Sequence, residues 1–154
     1  MEEVKYTVLI LKKGSALLNE TYQDLFNTFD DYKEEMAKLT EKDEKFYDVA
    51  FAFSSNDNAY ICIAIDSNKK ILGFILPEFD FITHTLWTSH VFVRKEYRLK
   101  GVYSLMMKRI QKFAKDAEFK RIFSLVWKFN HVSREAHKNI FGSEEWLGYE
   151  MEVK

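Results

Sequence analysis

Residues 91–109, VFVRKEYRLKGVYSLMMKR, pass from a β-branched and aromatic triplet through a basic turn with one glycine into a helical stripe. Val91, Phe92 and Val93 have strand character, whereas Val102, Leu105, Met106, Ile110, Phe113, Ala114 and Ala117 recur every three or four residues. That spacing is the period of a helix burying one face. A strand that feeds directly into a helix commits the chain to mixed α and β packing. It also favours anion chemistry, because a helix start leaves backbone N–H groups without intrahelical acceptors and carries partial positive charge. Arg98, Lys100 and Gly101 stand at the turn, where a glycine lets a ligand approach the backbone closely. Taken alone, the segment reads equally well as an ordinary strand–turn–helix connection.

The flanking sequence extends the pattern. Residues 4–11 read as a strand. Leu18, Tyr22, Leu25, Phe29, Tyr32, Met36 and Leu39 then form one apolar helical stripe, expected to pack on a sheet and to break near Asp30 and Asp31. Glu34, Glu35, Glu41, Asp43 and Glu44 are its solvated face or an acidic rim that attracts a cationic substrate. Apolar runs at 60–65 and 71–76 flank the turn-prone 66–70 and predict a hairpin. Pro77 is expected to end the second run or lie on an edge. A further strand is predicted over 86–93, after the loop 80–85, and another over 121–127. Strand, helices, three antiparallel strands, helix, strand, helix, strand is an α+β order.

Bulk properties exclude several function classes. A chain of 154 residues, 47% hydrophobic and 16% aromatic, is the size of one domain with a substantial core. The domain is expected to span 1–154. A formal net charge of −1 argues against general nucleic-acid binding, although Arg94, Lys95, Arg98, Lys100, Lys108, Arg109 and Lys112 make a local basic strip. No apolar span of membrane length and no signal-like leader is present, so no membrane is expected. The single cysteine, Cys62, lies in an apolar run and is expected to be a buried, inert thiol in a reducing, cytoplasmic setting. No zinc-type spacing, H-E-x-x-H or phosphate-loop motif occurs, and no metal is expected.

The segment Val93-Arg94-Lys95-Glu96-Tyr97-Arg98-Leu99-Lys100-Gly101-Val102-Tyr103 resembles the V-x-P-x-Y-R-G-K-G-x-G/A of the GNAT superfamily of acyl-CoA-dependent N-acyltransferases. It departs at Leu99, usually glycine, and at Tyr103, usually glycine or alanine. Downstream, Asn130-His131-Val132-Ser133-Arg134-Glu135-Ala136-His137 is similar to the family's N-x-x-S-x-x-L-H/Y, and Leu147-Gly148-Tyr149 resembles its L-G-F. The resemblance covers roughly the C-terminal half, in the right order. It implies a GNAT-like α+β fold with a mixed, mostly antiparallel central sheet, flanked by helices, whose splayed strands hold coenzyme A.

By that resemblance, the backbone of Val91, Phe92 and Val93 would pair with the amide-bearing arm of acetyl-CoA and face the developing oxyanion. The N–H groups of Leu99, Lys100, Gly101, Val102 and Tyr103, aided by the Arg98 and Lys100 side chains, would seat the pyrophosphate. Asn130 and Ser133 would lie at the sulfur end. Where relatives carry a strand glutamate as base, this chain has Thr88, Ser89 and His90, so His90 is the candidate base. His137 takes the place of the family's tyrosine acid, to donate a proton or to hold the sulfur. Each histidine also has a plain structural reading. The expected activity is transfer of an acetyl or other acyl group to a primary amine on a small molecule, peptide or protein. The alternative is an acyl-CoA-binding module that has lost catalysis. Acceptor choice is expected to rest on the first helices, the loop 79–85 and the C-terminal segment. The insertion 140–146 either shapes the acceptor cleft or forms a homodimer contact.

Overall fold

The computed structural model describes residues 5–126, 131–141 and 148–153. Asn130, Leu147 and most of the insertion 140–146 lie outside the described residues. The elements run β1 (Tyr6–Lys12), α1 (Ala16–Glu20), α2 (Tyr22–Thr40), a short 3-10 turn (Glu44–Tyr47), α3 (Val49–Ser55), β2 (Tyr60–Asp66), β3 (Ile71–Asp80) and β4 (Thr85–Val93). They continue through α4 (Val102–Asp116), β5 (Arg121–Leu125), α5 (His131–Phe141) and β6 (Gly148–Glu152). The strands form a six-stranded sheet in sequence order. All neighbours are antiparallel except β4 and β5, which run parallel.

Turn chemistry explains the β2–β3 hairpin. The Asp66 carboxylate accepts from the N–H groups of Asn68 at 2.8 Å and Lys70 at 2.9 Å, while Lys69 takes a left-handed φ of 62°. The helical stripe is real, but its break falls at Thr21 rather than at Asp30 and Asp31, and α2 is continuous through both aspartates. Thr21 Oγ1 donates back to the carbonyls of Leu17 and Leu18, which closes α1 before α2 begins. Helix α3 is an element the hydrophobic period does not announce; its start is marked by Asp48, which accepts from the Phe51 N–H at 3.0 Å.

Alternation along β2 sorts the core onto two faces. Cys62 and Ala64 join Val8, Leu86, Ile122 and the inner residues of α4 on one face. Ile61, Ile63 and Ile65 join Phe29, Tyr32, Phe53 and Phe74 under α1–α3 on the other. Cys62 is fully buried, and burial pushes its thiol up to about 12, so it is inert at neutral pH.

Pro77 lies inside β3, an interior strand, and so neither ends it nor sits on an edge. The register explains this: Leu76 pairs with His90 and Glu78 with Trp87, so Thr88 and Ser89 stand opposite Pro77 alone. A residue without an N–H is accommodated where the ladder is already interrupted.

Candidate functional site

Among the described residues, strands β4 and β5 pair only through Thr85↔Arg121, Leu86↔Ile122 and Trp87↔Phe123. Beyond that row β4 continues to Val93 beside β3, while β5 continues to Leu125 beside β6. The two strands therefore part. At the parting, Ser124 Oγ lies 3.1 Å from the Thr88 carbonyl oxygen, so a side-chain hydroxyl serves the carbonyl that a continued ladder would have served. The Thr88 hydroxyl is buried there with no hydrogen-bond partner among the described residues.

Antiparallel alternation decides which backbone groups face the gap. Arg94 donates its N–H to Leu72 at 2.9 Å, so Phe92, two residues earlier, also turns its N–H and carbonyl toward β3. The Phe92 ring is part of the core beneath α2. Val91 and Val93 turn their backbone groups the other way, into the gap, and the Val93 carbonyl accepts from Arg98 Nε at 2.8 Å. The cradle is thus Val91 and Val93, with Phe92 holding them from behind. Gly73 makes this close approach of β3 and β4 workable, since a Cβ there would lie 2.6 Å from the Phe92 oxygen.

The turn after β4 takes left-handed backbone at two positions. Leu99 has φ 60° and its side chain is fully exposed, while Gly101 has φ 80°. A left-handed leucine costs about 1–2 kcal/mol. Helix α4 starts at Gly101 without a side-chain cap, and its first intrahelical bond is Leu105 N–H to the Gly101 carbonyl at 3.0 Å. A helix start of this kind offers first-turn N–H groups that have no intrahelical acceptor. Arg98 is committed elsewhere: besides the Val93 carbonyl it meets the Glu35 carboxylate at 2.7 Å. Lys100 is exposed and places Nζ 5.7 Å from the Tyr97 ring centroid.

The two histidines occupy different settings. Asp24 on α2 accepts from the Ile71 N–H at 2.6 Å and from Arg94 at 2.9 Å, and Arg94 also reaches Thr28 at 2.8 Å. These contacts fix α2 across the ends of β3 and β4 and bring Tyr32 Oη to 3.0 Å from His90 Nδ1. Burial lowers the pKa of His90 and the Glu78 carboxylate partly offsets it, so the ring is neutral at neutral pH. Tyr32 is raised by burial and stays a phenol. His137, on α5, is 2% exposed. Its Nδ1 lies 2.7 Å from the Ser133 carbonyl, which can only accept, so Nδ1 carries a proton. Burial pushes its pKa down to about 4, so Nε2, 2.8 Å from Ser124 Oγ, is an acceptor and shares the one Ser124 hydroxyl proton with the Thr88 carbonyl. Tyr103 meets the His137 ring at 5.2 Å between centroids, tilted by 39°, so the bulky residue at the helix start turns aside and packs.

Ser133, His137, Ser124 and the Thr88 carbonyl therefore make one chain across α5, β5 and β4, while His90 lies with Tyr32 on the α2 side. Sequence reasoning passed over Ser124, Tyr32 and Glu35. The only sequence signal for Ser124 is a hydroxyl inside the apolar run 122–127; Tyr32 and Glu35 look like any stripe and face residues of an amphipathic helix.

Comparison with known proteins gives a consistent picture. The model of the acetyltransferase (GNAT) family matches residues 18–142. Among solved structures, an acetyltransferase of the GNAT family from Staphylococcus aureus Mu50 superposes with a TM-score of 0.73 at 12% identity, covering 96% of this chain and 100% of that one. An N-acetyltransferase from the same strain has a TM-score of 0.66 at 17% identity, covering 96% and 99%. The paia N-acetyltransferase from Thermoplasma acidophilum, in complex with coenzyme A, has a TM-score of 0.66 at 14% identity over 96% and 99%. Among curated proteins, none matches the sequence closely enough to count as a relative.

Proposed function

The chain belongs to the GNAT family of acetyltransferases, and from that premise we propose that residues 1–154 form one N-acyltransferase domain that passes an acetyl group from acetyl-CoA to a primary amine. The observation that carries this reading is the parting of β4 and β5 after Trp87 and Phe123, with gap-facing backbone at Val91 and Val93 and an uncapped helix start at Gly101. The donor set fits the cofactor. Backbone N–H and carbonyl groups in the gap suit an amide-bearing arm, and the N–H groups of Val102, Tyr103 and Ser104 suit a pyrophosphate. The buried Thr88 hydroxyl offers a donor at the parting. When bound, acetyl-CoA supplies the thioester whose C–S bond is cleaved as the new C–N bond forms.

The residues' own tasks follow from their protonation. A lysine-like amine is neutral in roughly one molecule per few thousand at pH 7, an α-amine in about one of seven, so the first needs a base. His90 serves when Nδ1–H donates to Tyr32 Oη, leaving Nε2 to take the amine proton; the neutral ring is the form that can accept it. The gap-facing N–H of Val91 stabilises the oxyanion. His137, neutral and holding its proton against the Ser133 carbonyl, positions Ser124 and is not the acid for the departing thiolate, which takes a proton from solvent. Arg98 braces the Val93 end of the cradle. Asn130 and Ser133 are carried at the sulfur end by the family pattern.

Thermal shift with acetyl-CoA, followed by free-thiol release with a panel of amines, tests the reading. A raised melting temperature with thiol release supports transfer. No shift removes the cofactor. A shift without thiol release for any amine favours the binding-module alternative, to which the departures at Leu99 and Tyr103 belong.

A further inference from the structure

The sheet row at the parting has a composition unlike its neighbours. Phe79, Leu86 and Ile122 are cross-strand partners and belong to the core on the α4 face. The adjacent row, Glu78↔Trp87↔Phe123, which Glu150 continues on β6, therefore faces the opposite side, that of α1–α3. On that side the helices cover Phe74, Leu76 and Phe92, and their cover reaches β4 through the contact of Tyr32 with His90. Among the described residues, Trp87 and Phe123 belong to neither core cluster. They meet edge to face at 4.7 Å between centroids and stay half-buried, with Glu78 exposed beside them.

This row is the last one before the strands part, so its occupant would lie directly against the gap that receives the thioester. His90 is the next residue of β4 on the same face, because the register shift places Thr88 and Ser89 between it and Trp87. A carboxylate at one end of an aromatic floor is complementary to an ammonium on a flat apolar body. The same carboxylate disfavours an acceptor that carries its own carboxylate beside the amine, and the aromatic rings leave the hydroxyls of a polyhydroxy amine without partners.

We propose that the acceptor is a primary amine attached through a short linker to an aromatic or similarly flat apolar group, with no carboxylate next to the amine. The ammonium is drawn to Glu78 and the body lies on Trp87 and Phe123. The ammonium first gives one proton to His90, the neutral amine then attacks as the C–S bond breaks, and the second N–H proton reaches the departing thiolate through solvent. This assignment rests on the transferase reading, but binding and turnover test the two separately.

Titration calorimetry of the intact protein, with and without coenzyme A, using phenethylamine, phenylalanine and 2-aminoethanol, decides it. Phenethylamine is expected to bind at least about tenfold more tightly than either competitor. Glu78→Gln should reduce the discrimination against phenylalanine to about twofold, and Trp87→Leu should reduce that against 2-aminoethanol. Glu78 is exposed, so its variant tests the inference even if Trp87→Leu fails to fold. Equal affinity for the three amines, or discrimination unchanged in Glu78→Gln, overturns the assignment. Thiol release is scored on its own: release with phenylalanine or 2-aminoethanol preferred overturns the acceptor class and keeps the transferase. Tight phenethylamine binding without release keeps the amine site and removes the transferase.

Discussion

Strands β2 and β3 and strands β4 and β5 are neighbours in one sheet, yet they solve the problem of buried backbone in opposite ways. Between β2 and β3 the ladder runs from Cys62↔Ile75 to Ile65↔Ile71 with one register shift, and the side chains along it are almost wholly apolar and buried. Between β4 and β5 the ladder stops after three pairs, and polar side chains take over: Ser124 serves the Thr88 carbonyl, and Arg98 serves that of Val93. A complete ladder needs only hydrophobic packing to be stable, whereas a parted one must be held by side chains that can donate. The proposed chemistry falls on the parted pair, since a gap-facing backbone group is useful only where no strand has claimed it.

The largest expected effects lie in the sealed region. Phe74→Ala removes a fully buried ring that packs on Phe29, Tyr32 and Phe92, and should cost about 3–5 kcal/mol in chemical denaturation. Gly73→Ala places a Cβ 2.6 Å from backbone on β4; a loss of about 1–3 kcal/mol is expected, with weaker acetyl-CoA binding because Phe92 backs the cradle. Unchanged cofactor affinity in Gly73→Ala would show that the sealed ladder does not set the geometry of the gap.

The parted region should respond to pH. His137 is held neutral in the fold, its pKa lowered to about 4 from 6.5. Above pH 6.5 both folded and unfolded states are neutral there and stability is complete. As pH falls toward 4 the unfolded state takes up a proton that the folded state refuses, so stability declines, by up to ~3 kcal/mol. The lowered pKa of His90 acts in the same direction. Unfolding followed against pH should lose much of this slope in His137→Asn; an unaltered slope would mean that other groups carry the acid sensitivity.

Ser124→Ala leaves the Thr88 carbonyl without its hydroxyl partner and His137 Nε2 without the same group. A cost of about 1–3 kcal/mol is expected, and Ser124→Thr should recover part of it. Because Ser124 acts through the backbone of β4, the cofactor dissociation constant should rise with it. The smallest effect is a gain: Leu99→Gly relieves a left-handed φ at a fully exposed residue and should raise the denaturation midpoint by about 0.5–1 kcal/mol in equivalent stability. It also brings the turn to the family's usual residue, so tighter acetyl-CoA binding should accompany the gain.

Much of this architecture is legible in the amino-acid order. The strand–turn–helix unit around Gly101, the α2 stripe, the β2–β3 hairpin and the inertness of Cys62 follow from periodicity, turn chemistry and burial, which are local or nearly local properties. The family pattern places His90 on a strand and His137 on a helix. What periodicity could not supply is contact across the sheet. Pro77 reads as a strand end until the register shows one residue of β3 facing two of β4. Arg98 reads from the motif as a phosphate ligand; that its guanidinium also meets Glu35, 63 residues away in sequence, only the fold shows. Ser124 has no sequence signature because its role exists only where β5, α5 and the end of a ladder meet. Local order thus set the elements and the basic turn between β4 and α4. Tertiary structure alone decided where two parallel strands stop pairing, which backbone groups that frees, and whether each histidine meets a phenol or a serine.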